Sequence, residues 1–116
     1  GAAGFALAER LSLFDRPPAS LVLALAVTHH IRLSANIPFR LMAGFFRRLG
    51  SSLLVEYIEP GDPMLDQILR TRTQPLPEDY SLDAFLHAFS RSFRLVRCEP
   101  VPDTRRWLCH FSAEAP

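Results

Sequence analysis

Leu21-Val22-Leu23-Ala24-Leu25-Ala26-Val27-Thr28-His29-His30-Ile31 is the stretch on which the fold of this 116-residue chain turns. Apolar residues run unbroken from Leu21 to Val27, with Pro17-Pro18 before them and Thr28-His29-His30 after. A strand with one wet face alternates; this run does not. It reads as a strand covered on both sides, as in a parallel sheet. It is far too short to cross a bilayer as a helix. Leucine and alanine are good helix formers, so periodicity alone leaves a buried helix open. The abrupt change to polar residues favours the strand, because crevices in open α/β sheets lie beyond the carboxyl ends of strands. The two histidines then stand at such an end.

Working outward, residues 5–14 (FALAERLSLF) suit a short helix, ended by Asp15-Arg16-Pro17-Pro18. Downstream, Asn36 suits an N-cap and Pro38 a first turn. Ile37, Leu41, Met42, Phe45, Phe46 and Leu49 follow at helical spacing. Arg47 and Arg48 suit the last turn, and Gly50 the stop. Residues 52–58 (SLLVEYI) read as a second buried strand, which completes a βαβ unit with an expected right-handed crossover. Asp62 and Pro63 look like the cap and first residue of a short helix over 63–72. An extended connection over 73–78 leads to a helix capped by Ser81. Tyr80 and Phe85 there have the spacing of a hydrophobic staple, and Leu82, Phe85, Leu86, Phe89 and Phe93 form the apolar stripe.

Residues 93–101 and 105–112 read as a terminal hairpin turning at Pro102-Asp103-Thr104. If Val101 opposes Arg106, Cys98 opposes Cys109, Val96 opposes Phe111 and Pro100 opposes Trp107. Leu95, Arg97, Glu99, Leu108 and His110 then take the other face. The two cysteines are expected to be reduced core thiols. They lack zinc spacing, so no metal centre is expected.

Composition narrows the function. The net charge of +1 gives no reason to expect nucleic acid or an anionic membrane. All thirteen basic residues are arginine, spread along the chain as on solvated faces. Gly1-Ala2-Ala3-Gly4 lacks the basic start and apolar core of a signal peptide, so a cytoplasmic setting is expected.

The series LALAVTHHI, N-I-P, LLVEYIEPGDPM, PEDYSLDAF and R-R-W-L, from about Arg16 to Phe111, resembles the C-terminal half of class I S-adenosylmethionine-dependent methyltransferases. It is nearest the bacterial nodulation-protein-like group. The resemblance implies a partial Rossmann-like α/β sheet: two parallel strands, an antiparallel hairpin, and helices on both faces. It implies the spatial order first strand, second strand, last strand, then the strand before it. The family's Gly-rich cofactor loop has no counterpart, since no Gly-x-Gly occurs in the chain. The expectation is therefore a fold without its N-terminal cofactor-binding half, inactive alone and binding S-adenosylmethionine weakly or not at all. The open edge of the 21–28 strand should then pair with a second copy or a partner chain.

The candidate site residues follow from this placement. His29 and His30 could act as general base or as substrate hydrogen-bond partners, or simply bond loop carbonyls. As strand neighbours they point to opposite faces, which disfavours a shared metal. Thr28, at the strand end, is the candidate cofactor contact. Glu56 and Glu59 are candidate substrate-binding groups bordering the crevice. A glutamate on a buried strand needs a partner or a cavity, and an arginine such as Arg40 could supply one. Asn36 and Asp62 are better explained as caps, and Trp107 as core. The leading function is the C-terminal portion of a methyltransferase; the alternative is a non-catalytic dimerisation or interaction module.

Overall fold

The computed structural model describes residues 19–114. The helix expected over 5–14 lies outside them. The elements are β1 (Ala19–Ala24), a π-helical turn α1 (His30–Ser34), α2 (Phe39–Leu49), β2 (Gly50–Ile58), α3 (Pro63–Thr71), α4 (Leu82–Phe89), β3 (Arg94–Pro100) and β4 (Arg106–Ser112). The four strands form one mixed sheet in the order β1-β2-β4-β3. β1 runs parallel to β2, and both other pairings are antiparallel. This is the expected α/β arrangement in the expected strand order.

The decisive stretch is a strand, but a shorter one. It leaves the sheet after Ala24, and Ala26 takes a left-handed backbone (φ 55). The expectation of cover on both sides fails among the described residues: Leu21, Leu23 and Leu25 are exposed, Leu23 at 62%, while Val22 is half-buried and Ala24 buried. Among the described strands β1 lies at the edge, with β2 its neighbour on one side. Its ladder to β2, from Ala19 opposite Gly50 to Ala24 opposite Val55, overrides the helical preference of leucine and alanine.

The core lies on one face of the sheet. Leu53, Val55 and Tyr57 of β2 share that face with Cys109 and Phe111 of β4, and all are buried. α2 and α4 cover them. Phe39 of α2 meets Tyr57 and Phe85 at ring distances of 6.5 and 5.2 Å. Phe85 and Phe89 of α4 pack at 4.4 Å with tilted rings, and Phe89 stacks on Phe111 at 5.4 Å. The buried stripe of α2 is Phe39, Met42, Ala43 and Phe46, rotated from the one expected: Leu41 is 56% exposed. The cap also differs. Asn36 has φ 57 and accepts from Arg32, and Pro38 takes the N-cap position. A helix starting at Phe39, after a proline that suits extended backbone, puts that ring on the core side.

Two helix starts are as expected. Asp62 caps α3, accepting from the N–H groups of Met64 (2.9 Å) and Leu65 (3.3 Å), with Pro63 first in the helix. Gly61, at φ 104, supplies the left-handed turn that lets the chain reach Asp62. Ser81 caps α4 through the Ala84 N–H. Tyr80 and Phe85 meet by both packing on Phe39 and Tyr57.

The hairpin register holds from Val101–Arg106 to Arg97–His110, with Cys98 opposite Cys109 and Pro100 opposite Trp107. It then slips: an irregularity between Leu95 and Arg97 makes Leu95, not Val96, the partner of Phe111. The extra residue is a β-bulge, which bends the edge strand. On the second face of the sheet, Leu21, Leu23 and Leu108 are exposed and Leu54 is half-buried. α2 and α4 both cover the first face, and the start of α3 meets Arg106 of β4 through Asp62 and Met64. None of these helices is long and apolar enough to cross a membrane.

Candidate functional site

At their carboxyl ends β1 and β2 lead into a polar cluster built by pairing that is remote in sequence. As the chain turns off β1, the Ala26 N–H donates to Glu56 Oε1 at 2.7 Å. Two residues on, the Thr28 hydroxyl donates to the Glu56 carbonyl at 2.6 Å. Glu56 therefore fastens the 25–28 loop to β2 twice. The left-handed backbone at Ala26 is unusual for a residue with a Cβ; the carboxylate bond helps hold it there.

β4 brings the cation. Ile58 pairs with Arg106, two residues beyond Glu56. Arg106 Nη1 lies 3.6 Å from Glu56 Oε1, and its Nε donates to Asp62 Oδ2 at 3.0 Å. Arg106, not Arg40, is thus the partner of Glu56. Burial alone would raise the Asp62 carboxyl; hydrogen bonds from Arg106, Met64 N–H and Leu65 N–H outweigh it, and the acid is held below its usual range. Asp62 is at once a cap and an ion-pair partner, which joins α3 to the sheet.

His29 sits within this cluster with no accessible surface, and neither ring nitrogen has a hydrogen-bond partner among the described residues. Its pKa is lowered to about 4, chiefly by burial and then by the neighbouring His30 and Arg106, with Asp62 working against them. At neutral pH the ring is uncharged, with one donor and one acceptor uncommitted. Buried imidazole nitrogens are normally satisfied, so His29 is the unspent group of the site. So low a pKa makes it a poor general base near pH 7 and a good hydrogen-bonding group for a neutral partner.

His30 is exposed, its ring 4.3 Å from that of His29. It lines a shallow groove of about 300 Å³ with Ser34, Met64, Gln67, Ile68 and Thr71, between α1 and α3. Thr28 is buried, and its hydroxyl is spent on Glu56. Glu59 stands apart from Glu56, accepting from Trp107 Nε1 at 2.5 Å, with Arg105 Nε at 3.8 Å.

The structure thus gathers His29, Glu56, Asp62 and Arg106, and sets Glu59 with Trp107 and Arg105. Arg106 and Trp107 were not among the sequence candidates. Only the β2–β4 register, formed across some 50 residues, brings them to the glutamates. No group of three or more metal-ligating side chains is found among the described residues.

No family model matches the chain, and no solved structure matches it. The chain is 28% identical over 108 residues to nodulation protein NoeA of Rhizobium meliloti (strain 1021). The match takes in 93% of this chain and 22% of that protein. The chain therefore spans about a fifth of the length of the curated relative it matches.

Proposed function

We propose that this chain is the C-terminal portion of an S-adenosylmethionine-dependent methyltransferase fold and that it contributes the acceptor side of the crevice. The reading rests on the motif series in the sequence. The strand order β1-β2-β4-β3 and the similarity to a nodulation protein support it. The observation that carries the site is His29: buried, neutral and unpartnered where β1 leaves the sheet. In this role the exposed His30 hydrogen-bonds the acceptor, and the buried His29 backs its ring at 4.3 Å. Glu56, Arg106 and Asp62 are positioning residues that hold its loop. His30 lines the groove beside it. Methyl transfer depends chiefly on such positioning, so a weak base is sufficient.

The described residues do not by themselves fit the cofactor. Glu56, Glu59 and Asp62, the acids at this end of the sheet, are each engaged by an arginine, a tryptophan or backbone N–H groups. No step through the cofactor is assigned to them. Calorimetric titration with S-adenosylhomocysteine tests the division. The 116-residue chain should give no binding heat at micromolar concentration, and full-length NoeA should bind. Micromolar binding by the short chain would overturn the division; no binding by NoeA would overturn the methyltransferase reading.

A second reading, a non-catalytic interaction module, is favoured by the exposed leucines of β1 on the second face. In it, β1 pairs antiparallel with the β1 of a second copy and the two sheets become one. Light scattering on the eluted chain reports this directly: a dimer supports it, and a monomer at high concentration ends it.

A further inference from the structure

We propose that Cys98 and Cys109 form a dithiol that small-molecule disulfides convert to an intramolecular bridge between β3 and β4. The pair is directly opposed in the antiparallel ladder, and its sulfurs lie 2.8 Å apart. The site rests on this geometry and is independent of the proposed function.

The ladder explains the closeness. The Val101 N–H donates to the Arg106 carbonyl at 2.9 Å, so Val101 and Arg106 are a hydrogen-bonded pair. Counting back, Cys98 and Cys109 fall at a non-hydrogen-bonded position, where facing side chains are closest. The β2 side agrees. Glu59 N–H donates to the Arg105 carbonyl at 2.8 Å, which turns the backbone groups of Cys109 toward Val55 and away from β3. The bulge between Leu95 and Arg97 lies next to the pair and gives the edge strand room to adjust to the bonding distance of about 2.05 Å.

The two thiols are not equivalent. Cys98 is half-buried and Cys109 fully buried. Burial and the neighbouring Cys98 push the Cys109 thiol up, so it holds its proton. Cys98 is therefore the attacking thiol and Cys109 the resolving one. The Cys98 thiolate attacks one sulfur of glutathione disulfide; that S–S bond breaks, and the first glutathione leaves as thiolate and is protonated. The Cys109 sulfur then attacks Cys98 Sγ, the mixed disulfide breaks, and the Cys109 proton passes to the second departing glutathione. Two protein thiols lose two electrons, and glutathione disulfide is reduced to two glutathione thiols.

The test is intact mass after incubating the folded chain with glutathione disulfide at mildly alkaline pH. The expected product has lost the mass of two hydrogen atoms, carries no adduct, migrates as a single chain without reductant, and is restored by dithiothreitol. Cys109→Ala should stop at one glutathionyl adduct. Cys98→Ala should stay unmodified until denatured. A lasting adduct on the unaltered chain, no reaction at all, or a bridge between two chains would overturn the proposal. Because Cys109→Ala alters the core, the unaltered chain's result stands on its own if that variant fails to fold.

Discussion

The two faces of the sheet are made by alternate residues of the same strands, yet they meet different surroundings. On one face Leu53, Val55, Tyr57, Cys109 and Phe111 disappear under the phenylalanines of α2 and α4. On the other, the exposed leucines of β1 lead across Leu54 and His110 to Arg97 and Glu99 of β3. The second face therefore changes character from edge to edge: apolar at β1, charged at β3. A face meant for water would be polar throughout, and one meant for a helical layer apolar throughout. At the carboxyl end the same face is closed from within, by Arg106 against Asp62 and Met64.

The contrast can be broken most forcefully on the covered face. Phe89→Ala, which removes a fully buried ring from the stack, should cost about 3–5 kcal/mol in urea unfolding; a loss below about 1 kcal/mol would mean the aromatic layer is not the core. Arg106→Ala comes next. It leaves the Glu56 and Asp62 carboxylates without their cation in a largely buried setting, and about 2–3 kcal/mol should be lost. Arg106→Lys should recover only part, having no fork to span both acids.

The third prediction concerns acid. The folded-state pKa of His29, about 4, lies below its ordinary 6.5, so the unfolded chain takes up the proton more readily. The stabilisation is complete above pH 6.5 and is lost as pH falls toward 4. Between pH 7 and pH 4.5 this group should remove roughly 2 kcal/mol, and His29→Leu should flatten that part of the curve. An NMR titration placing the His29 ring near 6.5 would refute it. The smallest effect belongs to the open face. Leu23→Ser should change the stability of the monomer by no more than about 0.5 kcal/mol, while weakening any self-association seen by light scattering. A large loss of stability would show that Leu23 is covered in solution.

Features set by neighbouring residues were legible in the sequence. Asp62 with Pro63, and Ser81, are caps because a side chain need only reach N–H groups two or three residues ahead. The strand order came from the resemblance, and most of the hairpin register from a short turn. What escaped depends on distant partners. Leucine and phenylalanine are equally apolar, so spacing alone did not say that Phe39 would face the core and Leu41 the solvent. Glu56 was read as needing a partner, but an arginine 50 residues downstream becomes its neighbour only through the β2–β4 ladder. The bulge at Leu95 to Arg97 leaves no mark in an alternating pattern. His29 was a candidate for its position; its lack of a hydrogen-bond partner among the described residues is a property of the folded interior.

The borders of the sheet differ as much as its faces. β3 is blunted: Pro100 offers no N–H, the bulge bends the ribbon, and Arg94, Arg97 and Glu99 charge it. β1 is uncharged and, among the described strands, has a neighbour on one flank alone. In the interaction-module reading, pairing through β1 would close on two copies and stop, because each joined copy would turn only its blunted side outward. On that reading a single sticky border would yield a closed pair and never a fibre.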